Sequence, residues 1–382
     1  MRQQAVWLLF IIGVLTVTAL SVGSPVFLMM AVLLLLVMVM GLVSVLWTAS
    51  TLRTEVQLEE HRVCRGADVK LKVVVHCGGL LPIAPISVSL HTMPGTEQTV
   101  LRLHRANGKR QRTTTVLHCE HVGVCHPGVA GCTVEDCFGL FSRTMTDFPE
   151  GPELMVVPQT FEVAELTYAP GDPGMETLAR ATEDITDPSD FRAYAPGDPM
   201  KKIHWKLSMR KQELVVRRFE EPALPDALVL MDCSAPHGDS VQEKADIRDA
   251  MLETAASVME SARDGHQLRL PLMGAHPTQL ASGMGMPLIL ENLARADFTE
   301  TDRFERVLTM ESRNMSRVGC LVIIVSRMNG QLTETIRQMR RMGPVVRLYL
   351  VTSAPENERL MRYVVRLQTA GVEVSYVTPL VC

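Results

Sequence analysis

Two long runs of the chain carry no charge: residues 5–22 (AVWLLFIIGVLTVTALSV) and 26–47 (VFLMMAVLLLLVMVMGLVSVLW). A bilayer core needs about 20 apolar residues of helix, and each run is near that length. Only Gly23, Ser24 and Pro25 separate them, which predicts a tight helical hairpin in the membrane. Arg2 precedes the first run and Arg53 follows the second, while the turn carries no positive charge; Trp7 and Trp47 fall at the two outer ends. The positive-inside rule then predicts that both termini are cytoplasmic. A rival reading takes the first run as a cleaved signal peptide. The second run would then insert with its C-terminal end inside, so the soluble part is expected in the cytoplasm on either reading.

From about Leu52 to Leu166 the period is two. Val69, Leu71, Val73 and Val75 alternate with Lys70, Lys72 and the exception Val74, and Ile86, Val88 and Leu90 alternate with Ser87, Ser89 and His91. Residues 99–105 and 111–119 alternate similarly, with Gly and Pro between runs, which predicts an antiparallel β-sandwich. Residues 167–225, rich in Pro and charge, read as a connecting stretch. From Asp226 the pattern changes again. Apolar strand candidates at 226–232, 267–273, 320–326, 345–351 and 372–377 alternate with helical patterns near 241–263, 286–296, 301–316, 331–342 and 356–369. This predicts an α/β doubly wound domain over 226–382, with a largely parallel sheet and helices on both faces. In such sheets ligands bind at the carboxyl ends of strands, where the order reverses. The loop Asp232-Cys233-Ser234-Ala235-Pro236 would sit at one such end.

Bulk chemistry narrows the classes. The 382 residues suffice for two or three domains, and a net charge of −4 gives no signal for nucleic acid. The nine cysteines are odd in number, irregular in spacing and without Cys-x-x-Cys, which argues against a disulfide framework and fits a reducing compartment. The stretch His118, Cys119, His121, Cys125, His126, Cys132 and Cys137 invites a zinc reading, but its gaps differ from paired-ligand spacing and buried cysteine as a small hydrophobe is the plainer account. There is no P-loop motif, and Gly283-Met284-Gly285 lacks the third glycine of a dinucleotide fingerprint. Core filling accounts for most of the 23 methionines. The basic run Arg337–Arg341 suits a helix C-terminus.

The densest motif runs from Arg192 and Tyr194 through Pro196-Gly197-Asp198-Pro199 to Ile203-His204-Trp205-Lys206, Ser208 and Arg210, then Glu213–Arg217 and a strand ending in Asp232-Cys233-Ser234. Together with Val134-Glu135-Asp136-Cys137-Phe138-Gly139-Leu140-Phe141 and the double apolar run, it closely resembles the family known as domain of unknown function 58. The resemblance implies a C-terminal part similar to von Willebrand factor A domains. It also implies the company of MoxR-type AAA+ ATPases and membrane transglutaminase-like proteins, and it implies no reaction.

Read physically, Pro196-Gly197 is a turn signal, since Pro pre-sets the first central position and Gly supplies positive φ at the second. Tyr194, His204 and Trp205 are aromatic groups with polar handles, set among Arg192, Lys201, Lys202, Lys206 and Arg210. A structural clamp between domains, partner recognition and catalysis all remain open for them. His204 and Asp198 suit general acid–base work, but no nucleophile motif accompanies them. In the A-type resemblance Mg²⁺ is held by Asp-x-Ser-x-Ser and later oxygens. Here Asp232 and Ser234 are present, Pro236 replaces the second Ser, and Arg327 stands where an acidic ligand is expected. Hard cations need several oxygens, so no cofactor is expected, with Mg²⁺ the one metal to test. Asp232 and Ser234 would otherwise cap the next helix or pair with Arg327.

The leading expectation is a non-enzymatic membrane-tethered adaptor. Its contact residues would be Arg192, Tyr194, Pro196, Gly197, Asp198, His204, Trp205, Lys206, Asp232, Ser234 and Arg327, and its partner an AAA+ ATPase of MoxR type. The alternative is a metal-dependent hydrolase of envelope precursors, which requires Asp198, His204 and Asp232 to converge. A structural subunit of a membrane complex is a third possibility.

Overall fold

A computed structural model describes residues 3–76, 86–91, 100–103, 111–164, 190–193, 203–218, 226–261, 268–273, 277–281, 283–300, 303–313 and 318–379. The chain forms two compact units, Met1–Val157 and Pro158–Val381.

In the first unit the two uncharged runs are helices, α1 (Gln3–Val22) and α2 (Pro25–Thr51), both long and apolar enough to cross a membrane. Gly23 takes φ 68°, a left-handed conformation that stops α1 where Pro25 can open α2. Small residues supply most of the buried positions, Ala5 and Ala19 on α1 and Ala31, Gly41, Ser44, Thr48 and Ala49 with Val45 on α2, while most of the Val, Leu and Phe side chains are exposed. That is the inverse of a soluble hairpin and the usual composition of helix contacts in lipid. Hydroxyls on α1 are satisfied within the helix: Thr16 donates to the Ile12 carbonyl at 2.7 Å and Ser21 to that of Val17 at 2.9 Å.

Among the described residues ten short strands follow: β1 (Arg53–Leu58), β2 (Arg62–Cys64), β3 (Asp68–His76), β4 (Ile86–His91), β5 (Val100–Leu103), β6 (Gln111–His118), β7 (Gly123–Cys125), β8 (Gly128–Glu135), β9 (Ser142–Met145) and β10 (Leu154–Val157). They form sheets ordered β1-β3-β6, β2-β10-β7 and β5-β4-β8-β9. All pairs are antiparallel except β2 with β10. The period of two explains the main core: Leu71, Val73 and Val75 of β3 share a cluster with Ile86, Val88 and Leu90 of β4 and with Val129, Cys132 and Val134 of β8. Their alternates, such as Lys70 and Lys72, stay exposed and pair with Glu59.

The second unit opens with a small antiparallel pair, β11 (Asp190–Ala193) with β12 (Val215–Arg218), bracketing α3 (Trp205–Lys211). Then come β13 (Asp226–Met231), α4 (Val241–Ser261), β14 (Leu268–Leu272), β15 (Thr278–Ala281), α5 (Met286–Ala294), α6 (Phe304–Glu311), β16 (Val318–Val325), α7 (Gly330–Arg341), β17 (Val345–Val351), α8 (Glu358–Thr369) and β18 (Glu373–Val377). The sheet order is β15-β14-β13-β16-β17-β18, parallel except for β15. The sheet is largely parallel, as expected, and is made mixed by one antiparallel edge strand, β15, which lies outside the expected strands. All eight residues of β16 are buried, as a strand covered on both faces requires. One face packs Leu228, Leu230, Leu321, Ile323, Val325, Leu348 and Leu350 against α6, α7 and α8. α4 contacts β13, β16 and β17 but contributes nothing to that cluster, so it covers the other face. Its start is a reciprocal cap: Ser240 Oγ accepts from Glu243 N at 3.0 Å, and Glu243 accepts from Asp239 N at 2.7 Å.

Candidate functional site

The order of this sheet reverses at β13. The chain moves to one side of it for β14 and β15, then to the other for β16, so the loops after β13 and β16 face a crevice at their carboxyl ends. Asp232 follows β13 and Arg327 follows β16; their strands are parallel neighbours in the register Met231 with Ile324. That register brings three predicted residues together. Arg327 Nη2 donates to Ser234 Oγ at 2.5 Å, and Arg327 Nε stands 3.6 Å from Asp232 Oδ2. Asp232 is 3% exposed, and its other oxygen accepts from Ser234 N at 3.0 Å. A fourth residue, His237, was not singled out from sequence; its Nε2 lies 3.4 Å from Arg327 Nη1. It sits three positions beyond Ser234 in the same loop. The loop is also tied across the crevice, where Glu300 N donates to Cys233 O at 3.2 Å.

Of the two structural roles foreseen for Asp232 and Ser234, pairing with Arg327 is the one adopted, since Ser240 and Glu243 cap α4. The guanidinium lies between the aspartate and the serine, whose oxygens a divalent cation would otherwise share. Its side chain is 42% exposed, so the site presents a fixed cation at the surface, oriented by a buried carboxylate.

The signature residues occupy a second locality. Arg192 lies in β11, paired with Val216 of β12. Tyr194, Pro196, Gly197 and Asp198 lie outside the described residues. His204 is the N-cap of α3, its Nδ1 accepting from Leu207 N at 3.1 Å. Ser208, on the buried face of α3, accepts from Val215 N at 2.9 Å and donates to the His204 carbonyl at 3.0 Å, stitching helix to hairpin. Trp205 is 60% exposed, with Lys206 and Arg210 exposed beside it. The indole therefore faces outward.

The Cys/His stretch is spread over β6 to β8 and the turn that follows. Among the described residues there is no group of three or more His, Cys, Asp or Glu placed to hold a metal. Burial pushes the thiols of Cys119 and Cys125 up to about 11 and that of Cys132 to about 12; in the second unit Cys233 is pushed up to about 11. The thiolate is the reactive form, and at pH 7.5 less than about a thousandth of each is thiolate, which slows its reaction. Among the described cysteines, alkylation of the folded chain should therefore modify exposed Cys64 and Cys137 first. Peptide mass mapping that finds Cys119, Cys132 or Cys233 labelled equally fast would contradict the burial.

Residues 190–357 match the family model described as "Protein of unknown function DUF58". No curated protein matches. Among solved structures, the chain is similar to the sporulation control protein Spo0M of Bacillus subtilis at 15% identity and a TM-score of 0.17, over 38% of this chain and 58% of that one. A cycloisomaltooligosaccharide glucanotransferase of Paenibacillus sp. gives 8% and 0.18, over 78% and 44%. The β-glucuronidase of Bifidobacterium dentium gives 10% and 0.19, over 85% and 52%. The chain thus spans less than two thirds of each of these structures, and likeness at this level transfers neither fold nor activity.

Proposed function

We propose, from the premise that this chain belongs through residues 190–357 to the family of unknown function DUF58, that it is a membrane-tethered protein-interaction module. In this reading α1 and α2 cross the bilayer with both ends on the cytoplasmic side. The first unit is a β-sandwich and the second a domain of the von Willebrand factor A kind. Its partner is an AAA+ ATPase of MoxR type, which would supply the energy. The observation that carries the reading is the fixed guanidinium of Arg327, held by Asp232 and Ser234 where the sheet order reverses. A charge oriented in advance forms an interfacial ion pair without further ordering, which favours recognition of an acidic surface. Exposed Trp205, with exposed Lys206 and Arg210 on the same short helix, offers the kind of aromatic anchor that interfaces favour. The tether concentrates the module at the membrane, raising its effective concentration for a partner held at the same surface.

The test uses the full chain in detergent micelles and a purified MoxR-type ATPase, with binding measured by calorimetry. Arg327→Glu places a like charge beside Asp232 and should weaken binding about 30-fold (~2 kcal/mol) or more. An undiminished affinity in this variant would remove the Arg327 surface from the proposal, and no affinity in the wild type would remove this partner.

A further inference from the structure

The turn between β8 and β9 has an unusual build. Asp136 is 2% exposed, and its carboxylate accepts from Phe141 N at 2.7 Å and Phe138 N at 3.1 Å. The backbone closes on itself as well: Asp136 N donates to Phe141 O, and Gly139 N to Asp136 O, both at 3.1 Å, with Gly139 at φ 67°. A turn fixed this firmly presents its side chains in set directions. Leu140 and Phe141 pack on the apolar hairpin, in a cluster with Ala5 and Leu8 of α1 and Met38 and Val45 of α2. Phe138 points away from that cluster and is 65% exposed.

The helix rise sets the height of this contact. At 1.5 Å per residue, Leu8 and Met38 lie about 20 Å from the Gly23 turn, and Ala5 and Val45 about 26–30 Å from it. A hydrocarbon core of about 30 Å therefore ends at the level of the cluster. Trp7 and Trp47, 62% and 59% exposed, lie by the same rise about 22 and 33 Å from the turn, bracketing the cluster as an aromatic belt does where bilayer meets water. Phe138 comes from a segment far along the chain, exposed in a turn whose Leu140 and Phe141 pack on the hairpin and whose Asp136 lies against Gly41 of α2.

We infer that the turn Asp136–Phe141 rests in the headgroup boundary of the bilayer crossed by α1 and α2, with Phe138 inserted in lipid as a further member of the belt. The turn then fixes the height and tilt of the first β-rich unit against the membrane. This rests on the reading of α1 and α2 as membrane spans, and the experiment separates the two claims.

The full chain, with Trp7, Trp47 and Trp205 changed to Phe and Phe138→Trp introduced, is reconstituted in phosphatidylcholine–phosphatidylglycerol vesicles. Its emission is compared in plain lipid and in lipid brominated near the headgroup end of the acyl chain. A second protein keeps Trp7 as its sole tryptophan. Melting temperatures matching wild type establish that both fold. The expected result is quenching of the Phe138→Trp protein as strong as that of the Trp7 protein, with blue-shifted emission. Quenching of Trp7 alone would overturn the inference and leave the membrane spans standing, and would point to a protein surface or water around Phe138. Quenching of neither would overturn both.

Discussion

Gly151→Ala should unfold the first unit at markedly lower temperature than wild type, by about 3 kcal/mol or more and on the order of 10 °C. A Cβ at Gly151 would stand 1.9 Å from the Pro127 carbonyl oxygen and 2.5 Å from its carbon. These are backbone atoms, so no rotamer change can make room. Two chain segments would have to part, the link between β7 and β8 and the lead into β10. Those segments set the register of Leu154 with Cys125 and Val156 with Gly123, the antiparallel edge of the β2-β10-β7 sheet. Gly128 faces Gly151 at similarly close quarters, its own Cβ position 3.0 Å from Gly151 N. Gly283→Ala is the matched control, with nothing within 4 Å of the added methyl. Circular dichroism melts of the detergent-solubilised full chain decide it. Equal transitions for the two variants would mean that the close approach is not a feature of the folded protein.

The second large effect concerns Asp136. Changing it to Ala leaves Phe138 N and Phe141 N without their acceptor in a site with little water. Each unsatisfied N–H costs about 1–3 kcal/mol, so a loss of ~3 kcal/mol is expected. Asp136→Asn should fall between: its oxygen can still accept from one N–H, while its amide group meets the other donor to donor. A coupling follows from Gly41, where a Cβ would lie 3.2 Å from Asp136 Oδ2. Gly41→Ala should therefore destabilise the wild type mildly and the Asp136→Ala variant less, because the truncated side chain leaves room for the methyl. Additive effects on the melting temperature would argue against the contact.

These two sites also mark where sequence reasoning ends. The uncharged runs and the alternation in Val69–Val75 and Ile86–Leu90 are local patterns, and they place α1, α2, β3 and β4 directly. The strands β13, β16 and β17 were equally legible, because a strand buried on both faces is apolar at every position. β15 was not: Thr278–Ala281 is four residues long with only Leu280 fully buried, too short for a period to register. Nor were β11 and β12, whose Asp190-Phe191-Arg192-Ala193 and Val215-Val216-Arg217-Arg218 mix charge into four-residue runs. At the candidate site, Asp232, Ser234 and Arg327 were individually visible as residues following strands. Their adjacency depends on β16 pairing with β13 across a large insertion, which no periodicity encodes. The contacts Gly151–Pro127 and Gly41–Asp136 are of the same kind. Each joins segments by shape, and a glycine gives no local hint of what it must approach.

The strand order of the second unit also has a consequence during synthesis. β13 is central in the finished sheet, yet the neighbour on one of its edges, β16, is translated only after α4, β14, β15, α5 and α6. At roughly 5–20 residues per second, that edge of Ala227–Met231 waits for about 5–20 s on the emerging chain. An apolar strand with an open edge is a template for wrong pairing. The first unit, complete at Val157, has by then left the ribosome, and if α1 and α2 have entered the bilayer it holds the growing chain at one place on the membrane. Tethering would then keep nascent second units apart during the interval when each is most able to pair with another.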